Sequence, residues 1–141
     1  MALGEFARAT FGADFARLRS GELLWVISTL FRISGDSSAL RAVNTQLHSR
    51  ADSSGLVRDR MFAMASDAHL ALARSDTAAA LVALQALESR STTLQLAWDP
   101  GAAFAPDRLL LAQLLLAQGR AREAIEATLV FDHAEPITFV A

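Results

Sequence analysis

The sequence predicts an all-α fold: about three stacked antiparallel helical hairpins following an N-terminal helical segment. Three observations lead there. One layout occurs three times, around Ser34-Gly35-Asp36-Ser37, Arg74-Ser75-Asp76-Thr77 and Gln118-Gly119-Arg120-Ala121. Each time an apolar helical stretch runs into a small turn residue, then a polar one, then an Ala-rich stretch. The turn residues Gly35, Ser75 and Gly119 lie about 40 and 44 positions apart, a spacing typical of helical repeats. Apolar residues recur with helical rather than two-residue period, and Ala, Leu, Arg and Glu favour helix.

Each element follows in order. Residues 5–18 read as a short helix or pair of turns, with Phe6, Phe11 and Phe15 to bury. Residues 21–33 carry Leu23, Leu24, Ile27, Leu30 and Phe31 at helical spacing. Gly35 suits a helix C-terminus, and Asp36 or Ser37 suits the next N-cap. In residues 38–50, Leu40, Val43 and Leu47 form one narrow stripe, ending at the break Asp52-Ser53-Ser54-Gly55. Residues 57–73 form a long helix, and 77–88 return from it with Ala80, Leu81, Leu84 and Leu87 on one face. Residues 92–105, with Trp98-Asp99-Pro100-Gly101, read as a turn-rich linker. Pro106 opens the last hairpin as a first helical residue, with Asp107 in the first turn. Residues 108–118 and 121–131 are its helices, and Asp132 to Pro136 end it. The hairpins thus span about 21–50, 57–90 and 106–133 of a single domain.

Composition narrows the function. The chain has 141 residues, 52% hydrophobic and 20% charged, enough for one globular domain. Its 13 basic residues are all arginine, which with the abundant Ala reads as the codon bias of a GC-rich bacterial genome. Without lysine there is no Schiff-base chemistry, and without cysteine no disulfide, thiol catalysis or thiolate metal site. The net charge of −2, with no basic stripe and no tyrosine, argues against nucleic acid as a partner. The N-terminus lacks a signal-peptide core, and the apolar runs at 23–31 and 109–117 fall short of the roughly 20 residues that span a bilayer. No membrane association and a cytoplasmic location are the expectation.

Chemistry-bearing patterns are sparse. Gly35-Asp36-Ser37 resembles the nucleophile block of a Gly-Asp-Ser hydrolase family, but no strand precedes it, so a helix-joining turn is expected. Asp67 and His69, two apart on one helix, point roughly 200° apart and suit no shared metal. His48 falls in a solvated last turn, and His133 follows Asp132 at a helix end. Glu123 and Glu126 sit among arginines as a solvated face. No Gly-rich phosphate loop is present. No catalytic, cofactor or metal site is predicted.

The last hairpin, residues 105–138, resembles the tetratricopeptide repeat, a helix-turn-helix unit of about 34 residues. Leu111 and Ala112 fall where that family has its Leu-Gly pair, Leu115 replaces a tyrosine, and Gly119 is the turn glycine. Ala124 is the small residue of the second helix and Pro136 the terminal proline. With Ser75 at the turn, Ala68 and Ala80 take the same small positions, while Asp67 stands where the family has leucine. With Gly35 at the turn, Leu40 occupies the second small position. The resemblance covers the last hairpin well, the middle one fairly and the first loosely. The last hairpin also looks like helical-repeat regions of bacterial kinases and transcription regulators.

The resemblance implies a non-enzymatic protein-interaction scaffold, with first helices lining a concave groove that takes a peptide or a helix. That groove would comprise Trp25, Thr29 and Arg32, then Phe62, His69 and Leu72, then Leu109, Gln113 and Leu116. Core packing of several of these side chains is the competing reading. The alternative function is a self-associating domain forming a homodimer, with Ile137, Phe139 and Val140 at the interface; the same apolar stub also suggests a chain cut from something longer.

Overall fold

A computed structural model describes residues 20–88, 104–129 and 131. Among them there are six helices and no strand. They are α1 (Gly21–Ser34), α2 (Ser37–Ser54), α3 (Val57–Ala73), α4 (Thr77–Glu88), α5 (Ala105–Ala117) and α6 (Ala121–Thr128). The expected helix at 5–18, most of the linker at 92–105 and the residues from 132 onward lie outside the described residues. The chain divides into two compact units within α4, between Ala83 and Leu84.

The three matching turns are one backbone device. After α1, the Gly35 N–H bonds the Arg32 carbonyl at 3.2 Å and the Asp36 N–H bonds that of Phe31 at 3.0 Å. After α3, Ser75 reaches Leu72 and Asp76 reaches Ala71, both at 2.9 Å. After α5, Gly119 reaches Leu116 and Arg120 reaches Leu115, again both at 2.9 Å. Each is a Schellman motif, closing the last helical carbonyls around one left-handed residue. That residue has φ 74° at Gly35, 61° at Ser75 and 75° at Gly119. Asp36 and Asp76 then cap the returning helices, accepting from the Ala39 and Ala79 N–H groups at 3.1 and 3.0 Å.

Ser75 is the one member with a Cβ, which costs roughly 1–2 kcal/mol in the left-handed region. Ser75→Gly relieves that strain against a smaller entropic cost in the unfolded chain. A gain of about 0.5–1 kcal/mol in urea-unfolding free energy is expected, and no gain would show that the turn tolerates serine without strain.

The break between α2 and α3 is built differently. Here α2 continues through Asp52, Ser53 and Ser54, beyond the predicted end at residue 50. It stops at Gly55 (φ 65°), whose N–H bonds the Ala51 carbonyl alone. The last hairpin also departs from its expected bounds: α5 starts at Ala105, one residue before Pro106, and α6 ends at Thr128. Leu129 and Phe131 have 3₁₀ geometry, a common way for a helix to tighten at its end.

In the first unit, α1, α2 and α3 pack on one another. Leu24, Ile27 and Phe31 from α1, the predicted stripe Leu40, Val43 and Leu47 from α2, and Phe62, Ala65 and Ala68 from α3 are all nearly fully buried. Cross-helix contacts give the directions. Glu22, Trp25 and Ser28 of α1 reach Arg58, Phe62 and His69 of α3, so the numbers rise together and the helices run parallel. From α2, Asn44 reaches Asp67 while Arg50 reaches Asp59, so α2 is antiparallel to α3. The expected α4 stripe Ala80, Leu81, Leu84 and Leu87 is buried throughout. In the second unit α5 and α6 pack together, with Ala112 and Ala124, the two small positions, both buried.

Candidate functional site

The nine residues expected to line a groove fall into three groups. Trp25, Phe62 and His69 are core, at 3%, 2% and 1% exposure. Trp25 stacks on Phe62 with ring centroids 5.8 Å apart and planes 27° apart, joining α1 to α3. Thr29, Arg32 and Leu72 are half-buried. Leu109, Gln113 and Leu116 are exposed.

His69 is bound inside the first unit. The Ser28 hydroxyl lies 2.7 Å from the Trp25 carbonyl and 2.8 Å from His69 Nδ1. A carbonyl only accepts, so the one hydroxyl proton goes there, and Nδ1 must carry the proton donated to Ser28 Oγ. A second polar seam joins α2 to α3. Asp67 Oδ1 accepts from Asn44 Nδ2 and from His48 Nε2, both at 2.8 Å, and Asn44 also donates to Ser66 Oγ at 3.3 Å. Asp67 thus stands at a half-exposed rim between two helices, where a carboxylate can serve in place of leucine.

Sequence reading missed a third polar cluster, at the start of α1. Ser20, Gly21, Glu22, Arg50, Leu56, Arg58, Asp59 and Phe62 line a cleft of about 240 Å³. Asp59 is buried there and accepts from Arg50 Nε at 2.9 Å. Burial favours its neutral form, but hydrogen bonding from Ser54 and Arg50, with the charges of Arg50 and Arg58, outweighs burial. The carboxyl is held below its ordinary range. Arg58 bonds Glu22 at 3.0 Å and lies over the Phe62 ring, 5.4 Å from its centroid.

Gly21 explains the closeness of this packing. A Cβ there would sit 2.8 Å from Asp59 Oδ1 and 3.1 Å from both Arg50 Nε and Phe62 Cδ2. The available signal was a glycine in the first turn of a helix, where no unusual backbone angle calls for one. The cleft's carboxylates and guanidiniums pair with each other across α1, α2 and α3, so its chemistry is that of a helix-joining ion-pair network. His69 is not among its lining residues. Among the described residues no group of three His, Asp or Glu could hold a metal ion. Gly35-Asp36-Ser37 forms a Schellman turn and cap, with Asp36 also accepting from Ser38 Oγ at 3.1 Å.

The third hairpin presents a surface of the opposite kind. α5 turns both its charged residues inward, with Asp107 at 1% and Arg108 at 7% exposure, beside Leu111, Ala112 and Leu115. Outward it shows Leu109 at 49% and Leu116 at 56%, with exposed Gln113 between them. At about 100° per residue, these three lie within an arc of roughly 60°. Leucine thus lies on both faces of α5, and its two charged residues lie on the buried one, unlike a solvated helix with a polar outer face. Of the three expected groove segments, this one is exposed as a unit.

Among the described residues no helix is long and apolar enough to cross a membrane. Comparison with family models, with curated proteins and with solved structures finds no significant match to the chain.

Proposed function

We propose that this chain is a non-enzymatic helical-repeat module, resembling tetratricopeptide repeats, that binds a protein partner by docking a helix on the outer face of α5. The observation that carries the reading is the inverted polarity of α5, with Leu109 and Leu116 exposed while Asp107 and Arg108 are buried. Leucines at i and i+7 of a helix match the spacing with which an amphipathic helix presents its anchors. The parallel run of α1 and α3 and the Schellman bonding shared by the three turns support stacked hairpins as the scaffold. A cytoplasmic setting within a larger bacterial regulatory protein belongs to the same proposal. Trp25, Phe62 and His69 hold that scaffold together and have no place in the docking face.

Selection of a phage-displayed library of helical peptides on the immobilised full chain tests this. Enriched peptides should carry apolar residues at i, i+3 or i+4, and i+7. Their affinity should fall at least tenfold with Leu109→Glu/Leu116→Glu, whose helicity stays unchanged because both sites are exposed. With no ionisable side chain on the stripe, binding should vary little between 50 and about 500 mM salt. Failure to enrich any peptide, or binders indifferent to the double variant, would overturn the proposal.

A further inference from the structure

We infer that Arg32 is a carboxylate-binding site in the first unit, which takes an aspartate or glutamate side chain of a protein partner. The site is separate from the α5 face and does not depend on it. Arg32 stands in the last turn of α1 and is half-buried. Its Nε is fully enclosed and has no hydrogen-bond partner. Other arginines of the chain are treated differently. Arg50 pairs with Asp59, Arg58 with Glu22, Arg120 with Glu123 and Arg122 with Glu126. Arg60 donates to the Gly55 carbonyl at 3.0 Å, and Arg41 and Arg74 lie exposed to water. Among the described arginines, Arg32 alone has an enclosed nitrogen with no acceptor.

The end of α1 does not supply that acceptor. The partial negative charge of a helix C-terminus favours a cation there. Yet the Phe31 and Arg32 carbonyls already accept from the Asp36 and Gly35 N–H groups. A guanidinium drawn partly out of water is under-solvated, and the lower local dielectric strengthens its attraction for an anion. The terminal nitrogens of Arg32 are not enclosed, so a carboxylate can meet the guanidinium end-on with two parallel bonds. Thr29 lies one turn back on the same face. Its hydroxyl reaches the Trp25 carbonyl only at 3.5 Å, the outer limit of a hydrogen bond, so it is a second donor at hand. On α3, Leu72 stands about level with them, since Trp25 meets Phe62 and Ser28 meets His69. Thr29, Arg32 and Leu72 are all half-buried. One guanidinium, one hydroxyl and an aliphatic neighbour suit a monoanion on a short apolar stem. Phosphate carries close to two charges and is held by clusters of arginine, so a carboxylate is the better match.

Magnetic-resonance titration of the full chain, isotopically labelled at arginine Nε, tests this. The Arg32 Nε–H signal, identified by its absence in Arg32→Met, should shift saturably with sodium acetate. Half-saturation should fall at or below about 0.1 M, as a charge-assisted contact allows. Sodium chloride at equal ionic strength should not reproduce the shift. The signal of Arg122, whose side chain is 92% exposed, should follow ionic strength alone in both salts. A short capped peptide with a central glutamate should bind roughly fivefold or more tightly than its glutamine counterpart, and Arg32→Met should abolish that difference. An Arg32 signal that moves no more than that of Arg122 would overturn the site, as would a glutamate peptide that binds no better than the glutamine one. Inorganic phosphate that saturates the shift at a concentration more than tenfold below that of acetate would overturn the choice of carboxylate. Should Arg32→Met not fold, Arg32→Lys identifies the signal, because lysine keeps the charge and the stem without an Nε–H, and the wild-type titration decides.

Discussion

Phe62→Ala is expected to cost the first unit about 3–5 kcal/mol, the range measured when a buried phenylalanine is truncated. Phe62 is 2% exposed, stacks on Trp25 across α1 and α3, and underlies the Arg58 guanidinium. Its removal leaves a cavity where aromatic packing, a cation–π contact and the Asp59 ion pair come together. Natural domains hold only about 5–15 kcal/mol in total, so the loss is a large fraction of that. The chain forms two units, so the measurement needs a local reporter. Tryptophan emission in a Trp98→Phe background leaves Trp25 as that reporter, since the chain has two tryptophans. The urea midpoint of the emission change should fall sharply while helicity of the second unit persists longer. A loss below about 1 kcal/mol would mean that Trp25 and Phe62 are surface groups after all, and would restore them as groove candidates.

Asp59 should make the first unit sensitive to acid. Its folded-state pKa is lowered, so the folded protein binds fewer protons than the unfolded chain across the carboxylate range. Stability from this group is complete above the unfolded value near 3.9 and is lost as pH falls through the lower folded value. Asp59→Asn removes the charge that faces Arg50. Because Arg50 remains partly solvated at 35% exposure, a cost of about 1–3 kcal/mol at neutral pH is expected rather than that of a fully buried pair. The variant's urea midpoint should also change less than the wild type's between pH 6 and about 3. Equal slopes for the two proteins would show that Asp59 titrates alike folded and unfolded. Gly21→Ala should reproduce part of the neutral-pH loss without changing the charge, because its Cβ wedges the pair apart from 2.8 Å away.

Much of the architecture was legible along the chain because it depends on local chemistry. The helices at 57–73 and 77–88 appear with their predicted bounds, and the stripes at Leu40–Leu47 and Ala80–Leu87 are buried as their spacing implied. Turn chemistry was also readable, since a left-handed residue followed by an aspartate is a short-range device. Misplaced bounds came where local signals conflicted. Asp52, Ser53 and Ser54 are turn formers by propensity, yet the helix passes through them until Gly55 offers a left-handed stop.

The candidate site was less legible. Sequence register selected the α1 and α3 positions Trp25, Phe62 and His69 as groove walls, but both helices pack those positions against each other. α5 posed the opposite difficulty, because leucine occupies positions 109, 110, 111, 114, 115 and 116 and covers almost every direction around the helix. A wheel drawn from such a sequence has no polar side to identify the surface. Asp107 and Arg108 would ordinarily have marked it, and they point the wrong way.

The sequence by itself determined the all-helical class, the positions of the turns and, at Gly35 and Ser75, the pairing of a small turn residue with a following aspartate cap. These follow from φ preferences and hydrogen bonds within a few residues. Only the tertiary structure decided which apolar residues are core, which leucines of α5 meet solvent, and that Gly21, Arg50 and Asp59 converge. Burial and ion pairing join residues tens of positions apart, and their energies depend on neighbours that helical periodicity cannot name.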